Sequence, residues 1–140
     1  GYRRSVHLQN RMPMDLPQVY VDPLQGQQVL FNLIRNALEA MDEDNRHEHV
    51  LRITVRQADP AQVEFLVEDS GPGMAPEVRD RAFDNFLTTK DSGMGVGLAI
   101  CKQIVEAHGG LITAGQSGEL GGAAFRFTLP TMPGGAPLAP

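Results

Sequence analysis

Two clusters of glycines, each beside an element of regular structure, are the residues of this sequence best suited to binding chemistry. Gly71 and Gly73 follow an apolar run that alternates like a β-strand, and glycine there permits a positive φ and close approach of a ligand to the backbone. Gly93, Gly95 and Gly97 precede an amphipathic helix. Free N–H groups and the helix dipole make such a turn a site for anions, usually phosphate. Either cluster alone could equally be a flexible surface loop.

Three polar side chains could take part in the same binding chemistry. Asp69 ends the strand before the first glycines, and its carboxylate could accept a hydrogen bond from an exocyclic amine such as that of adenine, or form an ordinary Asx turn. Asn32 and Asn36 are four residues apart and share one face of a predicted helix. Their amide oxygens could meet a ligand or a hydrated Mg²⁺, which accepts oxygen ligands and keeps several waters. They could also be solvated or capping side chains.

Apolar periodicity and turn residues predict the elements that must position these groups. The predicted elements, in order, are a short edge strand around Val19 and Val21, a helix from its N-cap Asp22 to about Met41, strands over 51–56 and 63–68, a short helical stretch within 76–86, a helix from Leu98 to His108, and strands over 111–116 and 124–129. The order does not match a parallel βαβ array. It indicates the α+β class, a two-layer α/β sandwich with helices on one face of a mixed sheet.

Composition limits the classes of function. The chain has 140 residues, enough for one compact domain. A net charge of −5 without a long basic stretch argues against nucleic acid as a partner. No apolar run approaches the roughly 20 residues that cross a bilayer. The single cysteine, Cys101, excludes an internal disulfide and fits a reducing compartment such as the cytoplasm.

The two ends of the chain differ from its middle. Residues 1–15 are weakly patterned and are interpreted as the remnant of a linker from a missing domain. Residues 16–129 form the predicted domain, and the Pro- and Gly-rich tail at 130–140 is predicted to be disordered. Gly1 stands where a natural chain begins with Met, which suggests one domain of a longer protein.

With these motifs in place, the sequence resembles the catalytic ATP-binding domain of bacterial sensor histidine kinases, in the GHKL superfamily shared with gyrase-type topoisomerases, MutL-type repair proteins and ATP-dependent chaperones. The resemblance runs from about Leu16 to Leu129, is most similar to the nitrogen-regulation and oxygen-sensing class, and implies the Bergerat-type ATP-binding fold. Four motifs occur in the family's order and spacing: the N box at 28–37, the first glycine box at 69–73, the F box at 83–90 and the second glycine box at 93–98.

The resemblance implies a role for each polar residue. Asn36 would coordinate the Mg²⁺ that bridges the ATP phosphates, and Asn32 would lie beside it in a catalytic position. ATP-hydrolysing relatives carry at that position a Glu that activates water, and an amide cannot act as a base near neutral pH. The substitution therefore favours a kinase over an ATPase. Asp69 would bind the adenine amine, with Gly71 and Gly73 shaping the purine pocket.

The resemblance also implies a lid over ATP, formed by residues 83–95. Many family members carry Lys where this chain has Glu39. Lys90 is the first candidate for the missing catalytic cation and Arg35 the second, although Lys90 could equally be a solvated lid residue. The remaining nucleotide contacts implied by the resemblance are Thr88, Thr89, Lys90, Gly93, Gly95, Val96, Gly97 and Leu98.

The implied activity is transfer of the ATP γ-phosphate to a His on a separate dimerising helical hairpin, followed by signalling to a response regulator. That hairpin is not recognisable here, and His47-Glu48 lacks the helix and downstream Pro of the acceptor motif. This chain is therefore predicted to be monomeric and its parent kinase homodimeric. Two alternatives are a stand-alone serine kinase or anti-sigma factor of the same fold, which binds a protein partner, and a binding module that has lost activity.

Overall fold

A computed structural model of the chain describes residues 5–43, 48–84 and 94–131, with the side chains of 94–96 excepted. Three helices and five strands occupy this part of the chain. They are β1 (Ser5–Arg11), α1 (Pro23–Asp42), β2 (Glu48–Asp59), β3 (Gln62–Asp69), α2 (Pro76–Asp80), α3 (Met94–Ala107), β4 (Ile112–Gln116) and β5 (Ala123–Pro130).

The strands form one mixed sheet in the order β1-β2-β3-β5-β4. β1 runs parallel to β2, and each of the other neighbouring pairs is antiparallel. The strands predicted over 51–56 and 63–68 correspond to β2 and β3, and those predicted over 111–116 and 124–129 correspond to β4 and β5, each pair antiparallel. With helices packed on one face, the architecture is the predicted two-layer α/β sandwich.

The hydrophobic core lies between the sheet and the helices α1 and α3. Every second residue of a strand faces this layer, so Val63 and Val67 are buried. Phe65, between them, is only partly buried and stacks on Phe127 with ring centroids 4.7 Å apart. Burying a side chain of this size stabilises the fold by about 1.5–3 kcal/mol. The buried core residues of the two helices are Val29, Leu33, Ala37 and Met41 on α1, and Leu98, Cys101, Ile104 and Val105 on α3.

Helix α1 begins where its sequence predicts. The Asp22 carboxylate accepts a hydrogen bond from the Leu24 N–H at 2.9 Å, and Pro23 occupies the first helical position. An N-cap of this kind satisfies one of the N–H groups that a helix end leaves free. Of the apolar side chains that follow on α1, Leu38 is exposed, Leu30 and Ile34 are partly buried, and Val29, Leu33, Ala37 and Met41 are buried.

Strand β1 lies inside the segment that the sequence analysis interpreted as linker. All seven of its residues are exposed, and Val6 and Leu8 are the only apolar residues that alternate along it, which is too short a pattern to indicate a strand. Backbone pairing with β2 holds it at the edge of the sheet, from Ser5 opposite Glu48 to Arg11 opposite Thr54.

The other end of the domain also extends past its predicted boundary at 129. Pro130 belongs to β5 and its carbonyl accepts the Tyr20 N–H at 2.8 Å. Thr131 forms an isolated bridge with Val19, the one remnant of the predicted edge strand at Val19 and Val21. Residues 132–140, the rest of the tail predicted to be disordered, lie outside the described residues.

Helix α3 begins at Met94, one turn earlier than predicted, so Gly95 and Gly97 lie in its first turn and not before it. It ends before Gly109, whose φ of +84° is the expected left-handed C-cap conformation. The His108 ring joins the two helices: Nδ1 donates to the Ile104 carbonyl at 2.7 Å, which leaves Nε2 to accept the Asp22 N–H at 3.2 Å. None of the helices in the described part of the chain is long and apolar enough to span a membrane.

Candidate functional site

The centre of the candidate site is Asp69, the last residue of β3, which is 1% exposed. Its Oδ1 accepts two hydrogen bonds, from the N–H of Gly71 at 2.9 Å and from the N–H of Ala123 at 3.2 Å. The first of these is the Asx turn that the sequence allowed. Within the described residues no group donates to Oδ2, so this carboxylate has one oxygen fixed by the backbone and one open, that is, without a described hydrogen-bond donor.

Burial raises the pKa of Asp69 above its ordinary value. The N–H groups of Gly71 and Ala123 act in the opposite direction, as does the nearby His49. Carboxylates are rarely buried this deeply unless they are paired, because desolvation penalises the charge. A buried carboxylate with an open oxygen and a perturbed pKa is therefore a candidate for a functional group.

The loop after Asp69 depends on its two glycines in different ways. A Cβ at Gly71 would lie 3.1 Å from Asp69 Oδ1 and 3.4 Å from the Ala40 carbonyl carbon, so the backbone passes close to the end of α1. Gly73 has a φ of +77°, which a residue with a side chain rarely adopts. The loop therefore needs glycine at both positions: Gly71 lets it pack against α1, and Gly73 lets it turn through a positive φ.

The β4–β5 turn, residues 117–122, closes the other side of Asp69. The Gly122 N–H donates to the Asp69 carbonyl at 3.0 Å, and Ser117 and Gly122 are joined by a 2.7 Å backbone hydrogen bond. A Cβ at Gly122 would overlap Asp69 Oδ1 and its carbonyl oxygen. The sequence analysis placed Gly121-Gly122 near a turn but missed its contact with Asp69, because nothing local in the sequence indicates it.

A second contact missed from the sequence lies beneath the loop. Ser70 is bound to β2 by two hydrogen bonds with Val50: its Oγ accepts the Val50 N–H at 2.8 Å, and its own N–H donates to the Val50 carbonyl at 3.1 Å. The same Oγ lies 3.2 Å from Nδ1 of the buried His49. His49 therefore supports the candidate loop from the neighbouring strand, although in the sequence it had no recognisable context.

Asn32 lies on the side of α1 that approaches α3, and Asn36 follows one turn later on the same helix. Asn36 is buried and Asn32 half-buried, and a Cβ at Gly97 would lie 3.7 Å from Asn32 Cγ. Asn32 also hydrogen-bonds the Cys101 thiol, whose pKa burial raises to about 11. The structure thus brings Asn32 together with the first turn of α3.

Helix α1 also connects this pair to the Asp69 loop. Asn36 precedes Ala40, against which Gly71 packs, by four residues, or about 6 Å along the helix axis. Helix α1 therefore sets the distance between the asparagine amides and the loop at Gly71.

Glu39, which replaces the family's usual Lys, is paired with Arg35. Their ion pair has an Nε–Oε1 distance of 3.1 Å. Both line a groove together with Val6 and His49, whereas Asn32 faces α3. The Arg35 charge is thus already balanced by Glu39, which makes it a weaker candidate for the missing cation.

Several predicted site residues lie outside what the structure describes. Thr88, Thr89, Lys90 and Gly93 belong to this group, as does His47. Gly95 and Val96 are described by backbone only, in the first turn of α3, and Leu98 is buried in the core. The backbone N–H groups of residues 94–97 are the ones that the start of a helix leaves open to an anion.

Comparison with known proteins supports an ATP-binding fold. A family model described as "Histidine kinase-, DNA gyrase B-, and HSP90-like ATPase" matches residues 21–133. Sensor protein FixL of Bradyrhizobium diazoefficiens is 48% identical over 129 residues, covering 91% of this chain and 25% of FixL. The chain therefore spans about a quarter of the length of that relative.

Solved structures share the architecture. The nucleotide-free catalytic domain of histidine kinase ThkA matches with a TM-score of 0.78 and 32% identity, over 93% of this chain and 82% of that one. Full-length ShkA in complex with AMPPNP matches with a TM-score of 0.73 and 32% identity, over 91% of this chain and 26% of ShkA. The fold is that of histidine kinase ATP-binding domains.

Proposed function

Because the chain belongs to the histidine kinase-, DNA gyrase B- and HSP90-like ATPase family, we propose that it is the catalytic ATP-binding domain of a two-component sensor histidine kinase. The observation that carries this proposal is the Asp69 carboxylate, buried beside two glycines with one oxygen fixed and one open. The similarity to the catalytic domain of histidine kinase ThkA supports the kinase class.

The open Oδ2 of Asp69 would accept a hydrogen bond from the adenine amine. Gly71 and Gly73 would leave room for the purine, and the first turn of α3, including Gly95, Val96 and Gly97, would offer N–H groups to the phosphates. The contacts proposed from the lid and its flanks are Thr88, Thr89, Lys90, Gly93 and Leu98. Lys90 remains our candidate for the catalytic cation, since Arg35 is paired with Glu39.

Asn36 is the residue we propose to hold Mg²⁺. Its amide is buried on α1 without a described hydrogen-bond partner, and an amide oxygen is a ligand that suits this ion. When bound, Mg²⁺ would neutralise charge on the phosphates. Helix α1 would hold the Asn36 amide in place, one turn from the side chain of Asn32.

In the proposed reaction, a nitrogen of an acceptor His attacks the γ-phosphorus of ATP. The bond from that phosphorus to the β,γ-bridging oxygen breaks and ADP leaves. The carboxylate of an acidic residue beside the acceptor takes the imidazole proton. Asn32 cannot activate water as a base, which spares ATP from hydrolysis. The acceptor lies on the dimerisation domain of the parent kinase, and a response regulator is the next partner. We place the reaction in the cytoplasm, with this chain alone monomeric and its parent homodimeric.

Asn36→Ala is expected to remove the Mg²⁺ dependence of nucleotide binding. Calorimetric titration with a non-hydrolysable ATP analogue, with and without Mg²⁺, should show stronger binding with the ion in the wild type. In the variant that gain, about tenfold or more for a lost interaction with a charged group, should disappear. Asn10→Ala, an exposed change on β1, is the control and should retain it. Equal Mg²⁺ enhancement in both variants would remove Asn36 as a ligand.

Nucleotide affinity is expected to fall as the pH falls through the raised pKa of Asp69. Protonation there removes the carboxylate that the adenine amine needs. The effect on folding has the opposite sign: a carboxyl with a raised folded pKa destabilises the protein above that pKa, and the penalty disappears as the pH falls through it. Titrations of Mg-ADP from pH 7 to about 4.5 would measure this, with Asp69→Asn as the variant that cannot titrate. An affinity that is flat over this range would contradict the expectation.

A further inference from the structure

We infer that Ser117 and Glu119 are positioning residues for adenine recognition, although both contact the face of the sheet opposite the candidate site. They fasten the β4–β5 turn so that its backbone holds Asp69 with one oxygen fixed and the other free. The inference rests on the proposed function, because it concerns how the purine is read by that same carboxylate.

The argument begins with two adjacent residues at the end of β3. Successive strand residues point to opposite faces of a sheet, so Asp69 faces the helices. Glu68 points to the opposite side of the sheet, the open face. Glu68 is nevertheless only 8% exposed, and its Oε2 accepts a hydrogen bond from Ser117 Oγ at 2.7 Å. The Ser117 oxygen also accepts the Leu120 N–H at 3.0 Å. One buried hydroxyl therefore joins the turn to the strand and orders the turn itself.

A second anchor lies beside the first. Arg52 is the register partner of Glu68 on β2, so both side chains lie on the open face. The Arg52 guanidinium pairs with Glu119 in the turn, and its Nε donates to Gln9 on β1 at 2.8 Å. Arg52 is buried, while the Glu119 side chain is 68% exposed. The turn is thus held to β3 and β2 from the side away from the helices, and Arg52 connects it further to β1.

On the helix side the same turn controls Asp69. The Ala123 N–H, directly after the turn, donates to Oδ1, and the Gly122 N–H donates to the carbonyl oxygen. The turn and Ala123 therefore bind the end of β3 on both faces of the sheet, through Glu68 on one and Asp69 on the other. If it shifts, Oδ1 loses one of its two donors, the carboxylate is free to rotate, and the difference between a fixed and an open oxygen is lost.

The same strand offers a matched control. Glu64 lies on the open face four residues before Glu68 and is also 8% exposed. It pairs with Arg56 and Arg126, neither of which belongs to the β4–β5 turn. Glu64→Gln therefore disturbs a buried acid of the same kind without releasing the turn.

The test compares Mg-ADP with Mg-IDP, whose hypoxanthine carries a carbonyl in place of the amine. Calorimetric titration of the wild type should give ADP binding about tenfold tighter than IDP or more, because the amine is matched to a buried acceptor. Ser117→Ala should reduce that preference by about fivefold, and Glu119→Ala by about twofold, since exposed ion pairs contribute less. Glu64→Gln should leave it unchanged.

The outcomes separate this inference from the function on which it rests. A purely structural role would lower the melting temperature and weaken ADP and IDP equally, and an unchanged ADP-to-IDP ratio in both turn variants overturns the inference alone. If Ser117→Ala does not fold, Glu119→Ala decides the matter, because that side chain is exposed. A wild type that does not prefer ADP overturns both the inference and the proposed adenine site.

Discussion

Asp69→Asn is expected to weaken Mg-ADP binding by about a hundredfold or more and to reverse the preference between adenine and hypoxanthine. The asparagine carbonyl can still accept the N–H groups of Gly71 and Ala123, as Oδ1 does now. The open position then carries an NH₂ group in place of an oxygen. The NH₂ group of the Asp69→Asn side chain would then face the adenine NH₂ group, and neither can accept a hydrogen bond from the other. The carbonyl of hypoxanthine could instead accept a hydrogen bond from the Asp69→Asn side chain.

Calorimetry with Mg-ADP and Mg-IDP measures the reversal, and thermal unfolding shows whether the fold survives. Asp59→Asn is the matched control, because the Asp59 carboxylate forms the same kind of turn with the Ala61 N–H at 2.7 Å but is exposed. It should leave both affinities unchanged. Wild-type ADP binding by Asp69→Asn would contradict the role of the carboxylate, and failure to fold would contradict the claim that asparagine retains both backbone bonds.

Gly122→Ala is expected to lower the free energy of unfolding by about 3 kcal/mol or more and to abolish nucleotide binding, because overpacking a closed site forces the backbone to move. The added Cβ would overlap Asp69 Oδ1 and lie 2.7 Å from the Gly71 nitrogen. Those are backbone atoms and a side chain already fixed by hydrogen bonds, so they cannot yield without opening the site.

Gly118→Ala, in the same turn, provides the control. A Cβ there meets nothing within 4 Å, so the free energy of unfolding should change by less than about 0.5 kcal/mol. Urea unfolding of both variants and titration with Mg-ADP give the two readouts. Equal stabilities would show that the contact between Gly122 and Asp69 is looser than the structure has it.

Local features of the sequence predict much of this fold. Asp22-Pro23 fixes the start of α1, and Gly109 marks the end of α3. Strand β1 is different, since only Val6 and Leu8 alternate along it and its partner on β2 lies about 40 residues away. Only the assembled sheet identifies it.

The same distinction holds for the candidate site. Asp69, Gly71 and Gly73 lie within five residues, so a motif can reveal them. The groups that complete the site, the Ala123 N–H and the His49 ring, come from elsewhere in the chain and depend on strand pairing. For Glu39 the motif alone was misleading. Its position in the N box suggested an acid among the phosphates, but its side chain pairs with Arg35 in a groove beside β1.

The bond between Asp69 and Ala123 also has a consequence for the order of folding. It joins residues 54 positions apart, and the last strand must pair with β3 before it can form. A chain emerging from the ribosome is made from its N-terminus, so the residues of α1, β2 and β3 are made before those of β5. Nucleotide bound at the proposed site would therefore stabilise only a domain whose last strand is already paired with β3.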